Sequence, residues 1–147
     1  MLSVNKDSLW NLNDDIIPGY RALADAVHQE GGRILAQLAH SGGTVLIGQP
    51  GRESWSASTI RSETTGNISH EMTLGEIQEV IDAHVSAAQR VAAGGMDGVE
   101  ILGAFGFLPQ AFLSPLTNQR TDHYGGALEN RMRFLMELLE AVKGALG

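Results

Sequence analysis

Apolar residues recur along this chain with two different periods, and the two alternate in the same order twice. After Asp14 and Asp15, which stand where a helix cap belongs, Pro18 opens a first turn and Tyr20, Leu23, Ala24 and Val27 follow at helical intervals up to Gly31-Gly32. The run RILAQLA, Arg33 to Ala39, comes next and reads as a strand. Thr73 and Glu76 have capping-box spacing, and Leu74, Ile77, Ile81, Val85, Ala88 and Ala92 then keep a helical period to Gly94-Gly95. GVEILG, Gly98 to Gly103, is a second strand, and from about Ala127 a last helix places Leu128, Met132, Leu135, Leu139, Val142 and Leu146 on one face. The pattern predicts helices near 18–31, 73–94 and 127–145 and strands near 33–39 and 98–103. The order is αβαβα, an α/β arrangement in which the two strands are adjacent and parallel and the helices pack on one side.

Composition narrows the function classes. A chain of 147 residues with 43% hydrophobic and 18% charged residues is one domain or less of ordinary globular character. Its formal charge of −7 argues against nucleic acid or an anionic membrane as partner, because both require a basic surface. The absence of cysteine excludes disulfides, thiolate nucleophiles and a cysteine-ligated iron–sulfur cluster within this chain. Asn5, Lys6 and Asp7 precede any apolar run, and no apolar stretch approaches the ~20 residues of a membrane span, so a cytoplasmic location is the expectation. His28, His70, His84 and His123 lack metal-ligand spacing, and no metal site is expected. GQPGRE, Gly48 to Glu53, lacks the lysine and the helix start of a phosphate loop.

Candidate chemistry concentrates at the strands. Alternation puts Leu35, Gln37 and Ala39 on one face, and a glutamine in an otherwise apolar strand needs partners if buried, either a ligand or neighbouring backbone. His40 ends that strand and either lines a site or anchors the loop that follows. Glu100 and Leu102 share a face of the second strand, Glu100 being expected as a buried ion-pair partner or a base. The segment from Ser41 to Met72 is too long for an ordinary connection and is read as a site-covering excursion or a mobile loop, with Trp55 as its anchor. Beyond the second strand, Asn118, Arg120, Asp122 and Tyr124 supply groups that tie down a long loop, Gly125-Gly126 turns into the helix, and Glu129, Arg131 and Arg133 offer ion pairs.

The run FLSPLTNQRTDHYGGALENRMRF, Phe112 to Phe134, with AVHQEGGRILAQLAHSGG, Ala26 to Gly43, and SWSAS, Ser54 to Ser58, closely resembles the old yellow enzyme family in register over nearly the whole chain. The resemblance implies a TIM barrel with FMN as cofactor and NAD(P)H as reductant, moving hydride through flavin N5 to or from a small organic substrate. It further implies that Gln37 binds the pyrimidine edge of the flavin, while the first strand and the later strands and loops hold the rest of the cofactor. Where the family has His, then His or Asn, then Tyr, this chain has Leu102, Phe105 and Phe107, which carry no hydrogen-bond donor and no exchangeable proton. These three are therefore expected to form an apolar substrate-binding surface, with a plain core role as the alternative for Leu102, conventional enone reduction is disfavoured, and the catalytic residue stays unassigned. Gly43 stands where the family often has arginine.

Two strands cannot close a barrel, which typically takes ~250 residues. Residues 1–147 are accordingly expected to be an incomplete FMN-binding barrel domain, a partial TIM (β/α)8 barrel running from the late second to the fourth βα unit. The alternative is a catalytically inert truncated piece without its own cofactor, open to self-association through its uncovered strands.

Overall fold

A computed structural model describes residues 11–44, 54–61, 66 and 68–147. Three long helices and two parallel strands form where the periodicity places them. They are α1 (Ile17–Gln29), β1 (Leu35–Leu38), α2 (Leu74–Ala93), β4 (Gly98–Ile101) and α4 (Leu128–Leu146). β1 and β4 pair in parallel, with Leu35 opposite Gly98, Gln37 opposite Glu100 and Leu38 opposite Ile101.

The order αβαβα is incomplete, because both long loops contain structure of their own. The first holds a second parallel pair, β2 (Ser54–Ser56) with β3 (Ser69–Glu71), and the second holds α3 (Leu108–Leu113), which begins at Leu108-Pro109 and buries Leu108, Ala111 and Phe112. Trp55 lies in β2, half-buried against the core. GQPGRE and Asn5 to Asp7 lie outside the described residues.

Local chemistry explains the helix ends. Thr73 accepts from the Glu76 backbone N–H while the Glu76 carboxylate accepts from Thr73 N–H at 2.7 Å, a complete capping box. Ahead of α1, whose own N-terminus has no side-chain cap, the capping residue is Asn13, not Asp14 or Asp15. The Asn13 side chain accepts from Asp15 N–H over a short 3-10 turn, which leaves Asp14 to pair with Arg90 of α2 at 2.9 Å.

The core lies between one face of β1–β4 and the helices, and its fully buried side chains include Phe112, Phe134, Met72, Ile77 and Leu138. α4 turns a different stripe inward from the one its leucines suggest. Phe134, Leu138 and Val142 are buried, whereas Leu128, Met132, Leu139 and Leu146 are exposed. The reason is aromatic: Phe134 stacks on Phe112 of α3 at 4.4 Å between centroids, and that contact fixes the rotation of the helix.

The loop between α3 and α4 is a polar scaffold. The buried Arg120 guanidinium donates to the carbonyls of Ala57 and Met72 and forks onto Asp122, while Asn118 Nδ2 donates to the carbonyls of Phe112 and Tyr124. Gly125 is required here, since a Cβ on it would stand 2.1 Å from the Arg120 carbonyl oxygen. Among the described residues Glu129 makes no ion pair. Arg131 donates to the carbonyls of Leu113 and Gly126, and Arg133 to that of His123.

Candidate functional site

The second face of the β1–β4 pair is open. Leu35 is 58% exposed, and Gln37 and Glu100 are exposed beside it. Gln37 Nε2 donates to Glu100 Oε1 at 3.0 Å, a cross-strand pair that the parallel register brings together. Glu100 is thus neither buried nor ion-paired, in contrast to the expectation, because its face of the sheet is uncovered and its neighbour is a neutral amide. With its amide committed to Glu100, Gln37 keeps its carbonyl oxygen as an acceptor on the open face.

The C-terminal end of β4 leads directly into Leu102, Phe105 and Phe107. Leu102 N–H donates to the Leu38 carbonyl at 2.9 Å and so prolongs the ladder. Residues Ala104 to Phe107 then form a tight turn in which Phe107 N–H donates to the Ala104 carbonyl, with φ of 59° at Phe105 and 76° at Gly106. Positive φ at both central positions is the type I′ signature. Gln110 accepts from Gly106 N–H at 2.6 Å and pins the turn to α3. Phe105 projects to solvent, 83% exposed, whereas Leu102 and Phe107 are half-buried.

His40 is a loop anchor. Its Nδ1 accepts from Gly42 N–H at 3.1 Å and its carbonyl accepts from Leu108 N–H, so the loop after β1 is tied to the one after β4. Gly42, at φ 58°, packs on the backbone of Leu108, where a Cβ would meet Leu108 Cα at 3.1 Å. Gly43 abuts Ser69 and Ser56. The other histidines have separate partners. His28 meets Asp97 at 2.8 Å, His70 meets Glu76 at 3.3 Å, His84 Nδ1 bonds the Val80 carbonyl, and the His123 ring lies against Tyr124. Among the described residues, no group of three histidines and carboxylates is placed to hold a metal ion, and no helix is long and apolar enough to cross a membrane.

A sequence model of the NADH:flavin oxidoreductase / NADH oxidase family matches residues 4–147. The chain belongs to that family. It is 44% identical over 144 residues to the metal reductase of Desulforamulus reducens, an alignment covering 97% of this chain and 22% of that protein. Morphinone reductase in complex with tetrahydroNAD superposes with a TM-score of 0.89 at 31% identity, over 100% of this chain and 45% of that one. The old yellow enzyme homologue of Zymomonas mobilis gives 0.85 at 32% identity, over 92% and 41%. The chain therefore spans about a fifth of the first relative's length and under half of each of these solved structures.

The side chains on the open face suit the flavin these relatives' family is named for. The pyrimidine edge of an isoalloxazine presents one imide N–H between two carbonyls, and the Gln37 carbonyl is an unused acceptor for that N–H. Alternation along β1 made Gln37 legible as the candidate. Its pairing with Glu100 was not, because register between distant strands leaves no local signal. The left-handed backbone at Phe105 had only a weak one, the glycine that follows it.

Proposed function

We propose that this chain is the late second to fourth βα portion of an FMN-dependent NAD(P)H:flavin oxidoreductase barrel of the old yellow enzyme type. When bound, the flavin supplies the hydride chemistry at N5, to or from an organic substrate. This chain's residues do the rest of what can be assigned to them. Gln37, steadied by Glu100, orients the pyrimidine edge, and Leu102, Phe105 and Phe107 form an apolar wall beyond the end of β4. The observation carrying the reading is the position of Gln37 on the open face of the β1–β4 pair, upstream of that donorless wall.

The wall also shapes the substrate class. Without a donor at these three positions, the chain cannot polarise a carbonyl or protonate an alkene carbon from here, so its substrate is one whose reaction needs neither.

The test joins this chain to the remaining strands of a relative's barrel. Gln37→Leu in that completed barrel is expected to weaken FMN binding about tenfold, as loss of one hydrogen bond that leaves a ring N–H unpaired. Leu102→His, Phe105→His and Phe107→Tyr together are expected to raise reduction of a simple cyclic enone by ~100-fold or more. Equal FMN affinity in the Gln37 variant, or enone reduction by the unaltered barrel as fast as by its relatives, would overturn the assignment.

A further inference from the structure

Away from the open sheet face, α4 carries more apolar surface than its own chain covers. It packs on α2 and α3 and buries Phe134, Leu138 and Val142. Leu128, Met132, Met136, Leu139 and Leu146, by contrast, are each at least 37% exposed. At about 100° per residue these five fall within an arc of about 80°, beside the buried one. They form one stripe along a helix of 19 residues, about 28 Å in length. Scattered exposed leucines need no explanation, but a continuous stripe of them marks an interaction surface.

Two charges flank the stripe on one side. Glu129 lies in the first turn of α4 and Lys143 in the last, both are exposed, and among the described residues neither makes an ion pair. The apolar positions themselves, Leu128, Met132, Leu135, Leu139, Val142 and Leu146, follow one another at alternating intervals of four and three, the seam of a helix that pairs with another helix. Leu135 and Val142 form the inner edge of that seam, turned toward the chain's own core, and the exposed members form its outer edge.

The order of residues along the seam says what covers it. A second α4 laid antiparallel, with Met136 on the twofold axis, sets Leu128 beside Leu146 of the other copy, Leu139 beside Leu135 and Met136 beside Met136. The same register brings Glu129 to Lys143 at both ends, so apolar meets apolar and each unpaired charge meets its opposite. A parallel copy in register would bring like charges to the same level and leave both without a partner. The antiparallel pair is isologous and closes at two chains. We propose that the α4 stripe is a docking surface for a second copy of this chain, paired antiparallel about Met136 with a Glu129–Lys143 ion pair at each end. The surface is separate from the open sheet face and does not rest on the flavin reading.

The chain has no cysteine, so one introduced at a chosen position is unique. Met136→Cys is expected to cross-link to a dimer with a short bis-maleimide, and Gly144→Cys, exposed on the same helix but off the stripe, is expected to stay monomeric under the same conditions. In the Met136→Cys background, Glu129→Lys or Lys143→Glu alone makes both end pairs repulsive and is expected to raise the concentration for half-maximal cross-linking about tenfold, while the two exchanges together restore it to within about twofold. Each exchange opposes the helix dipole, so a mere folding defect would deepen in the double variant instead of being rescued. Association through the open sheet face would be blind to all three. Cross-linking at Met136→Cys no faster than at Gly144→Cys, single reversals without effect, or a double exchange that fails to rescue would overturn the pairing. A chain that sediments as a monomer at a few hundred micromolar would overturn it too, and would leave the stripe to a further unit of a larger barrel.

Discussion

At Phe105 side chain and backbone conflict. Among the described residues no other non-glycine has positive φ, and the exposed ring contributes little packing in return. A left-handed conformation costs an ordinary residue ~1–2 kcal/mol, whereas asparagine tolerates it and Asn-Gly is the favoured I′ pair. Phe105→Asn is accordingly expected to stabilise the chain by about 1 kcal/mol, read as a higher urea midpoint with an unchanged slope; an unchanged or lower midpoint would show that Phe105 makes packing that its exposure hides. Such a cost at the mouth of the proposed substrate wall is what a residue kept for binding would impose. The buried histidines carry a second consequence. Both have folded pKa values held down by burial, His40 to about 3 with the nearby His84 adding to the effect, while an unfolded histidine titrates near ~6.5. As pH falls below the unfolded value the unfolded chain takes up protons that the folded chain refuses, so stability is full above it and is lost on acidification. The expected loss from His40 approaches ~1.4 kcal/mol per pH unit between pH 6 and 5, a range above that in which carboxylates titrate, and His84 adds to it in the same direction. Urea midpoints at pH 7.5, 6 and 5 measure it, and His84→Phe should make the dependence shallower.

At the scale of elements, α2 depends on its cap more than its neighbours do on theirs, since neither α1 nor α4 has a side-chain cap of its own. Thr73→Ala is expected to cost about 1 kcal/mol, and the loss should shrink in acid. Burial pushes the Glu76 carboxyl up, but the Thr73 N–H and hydroxyl, together with His70, outweigh it and hold the group below its usual value. Its contribution is therefore present above the ordinary glutamate range and disappears as pH falls through the lowered value. Thermal melts of both proteins at pH 7 and at pH 3 check the direction. The capping box, the long helices and the two central strands were legible because each repeats its period over enough residues to be seen. β2, β3 and α3 were not, being three, three and six residues long, too short to show a period. The stripe that α4 buries is hidden from the pattern for another reason. Leucines occur on two faces of that helix, and only the tertiary contact of Phe134 with Phe112 decides which turns inward. The same division holds at the site. Alternation put Gln37 on view and the resemblance to the old yellow enzyme family drew attention to Leu102, Phe105 and Phe107, while the Gln37–Glu100 bond joins residues 63 positions apart, which no local pattern shows.

For the whole molecule, the decisive property is that one face of the central sheet is uncovered. Leu35, Gln37 and Glu100 are exposed, and β1 and β4 each pair with one strand and leave the other edge free among the described residues. Such a face and such edges invite association, so the purified chain is expected to sediment as more than a monomer, with the weight-average mass rising with concentration. The same geometry limits the cofactor. In the proposed role Gln37 would offer the flavin ring one hydrogen-bonding carbonyl, a net gain of ~1 kcal/mol, against the ~8 kcal/mol that micromolar affinity requires. Arg120, Arg131 and Arg133, which follow β4 along the chain, are committed to Asp122 and to backbone carbonyls, so they are not free to meet a phosphate. Titration of this chain with FMN, followed by flavin fluorescence and by thermal unfolding, is therefore expected to show no binding at micromolar concentrations and no rise in melting temperature. The completed barrel, carrying the same Gln37, is expected to bind. A yellow, monomeric chain that unfolds cooperatively with one FMN each would show that the open face closes on the cofactor without further strands, and the reading of this chain as part of a larger barrel would fail.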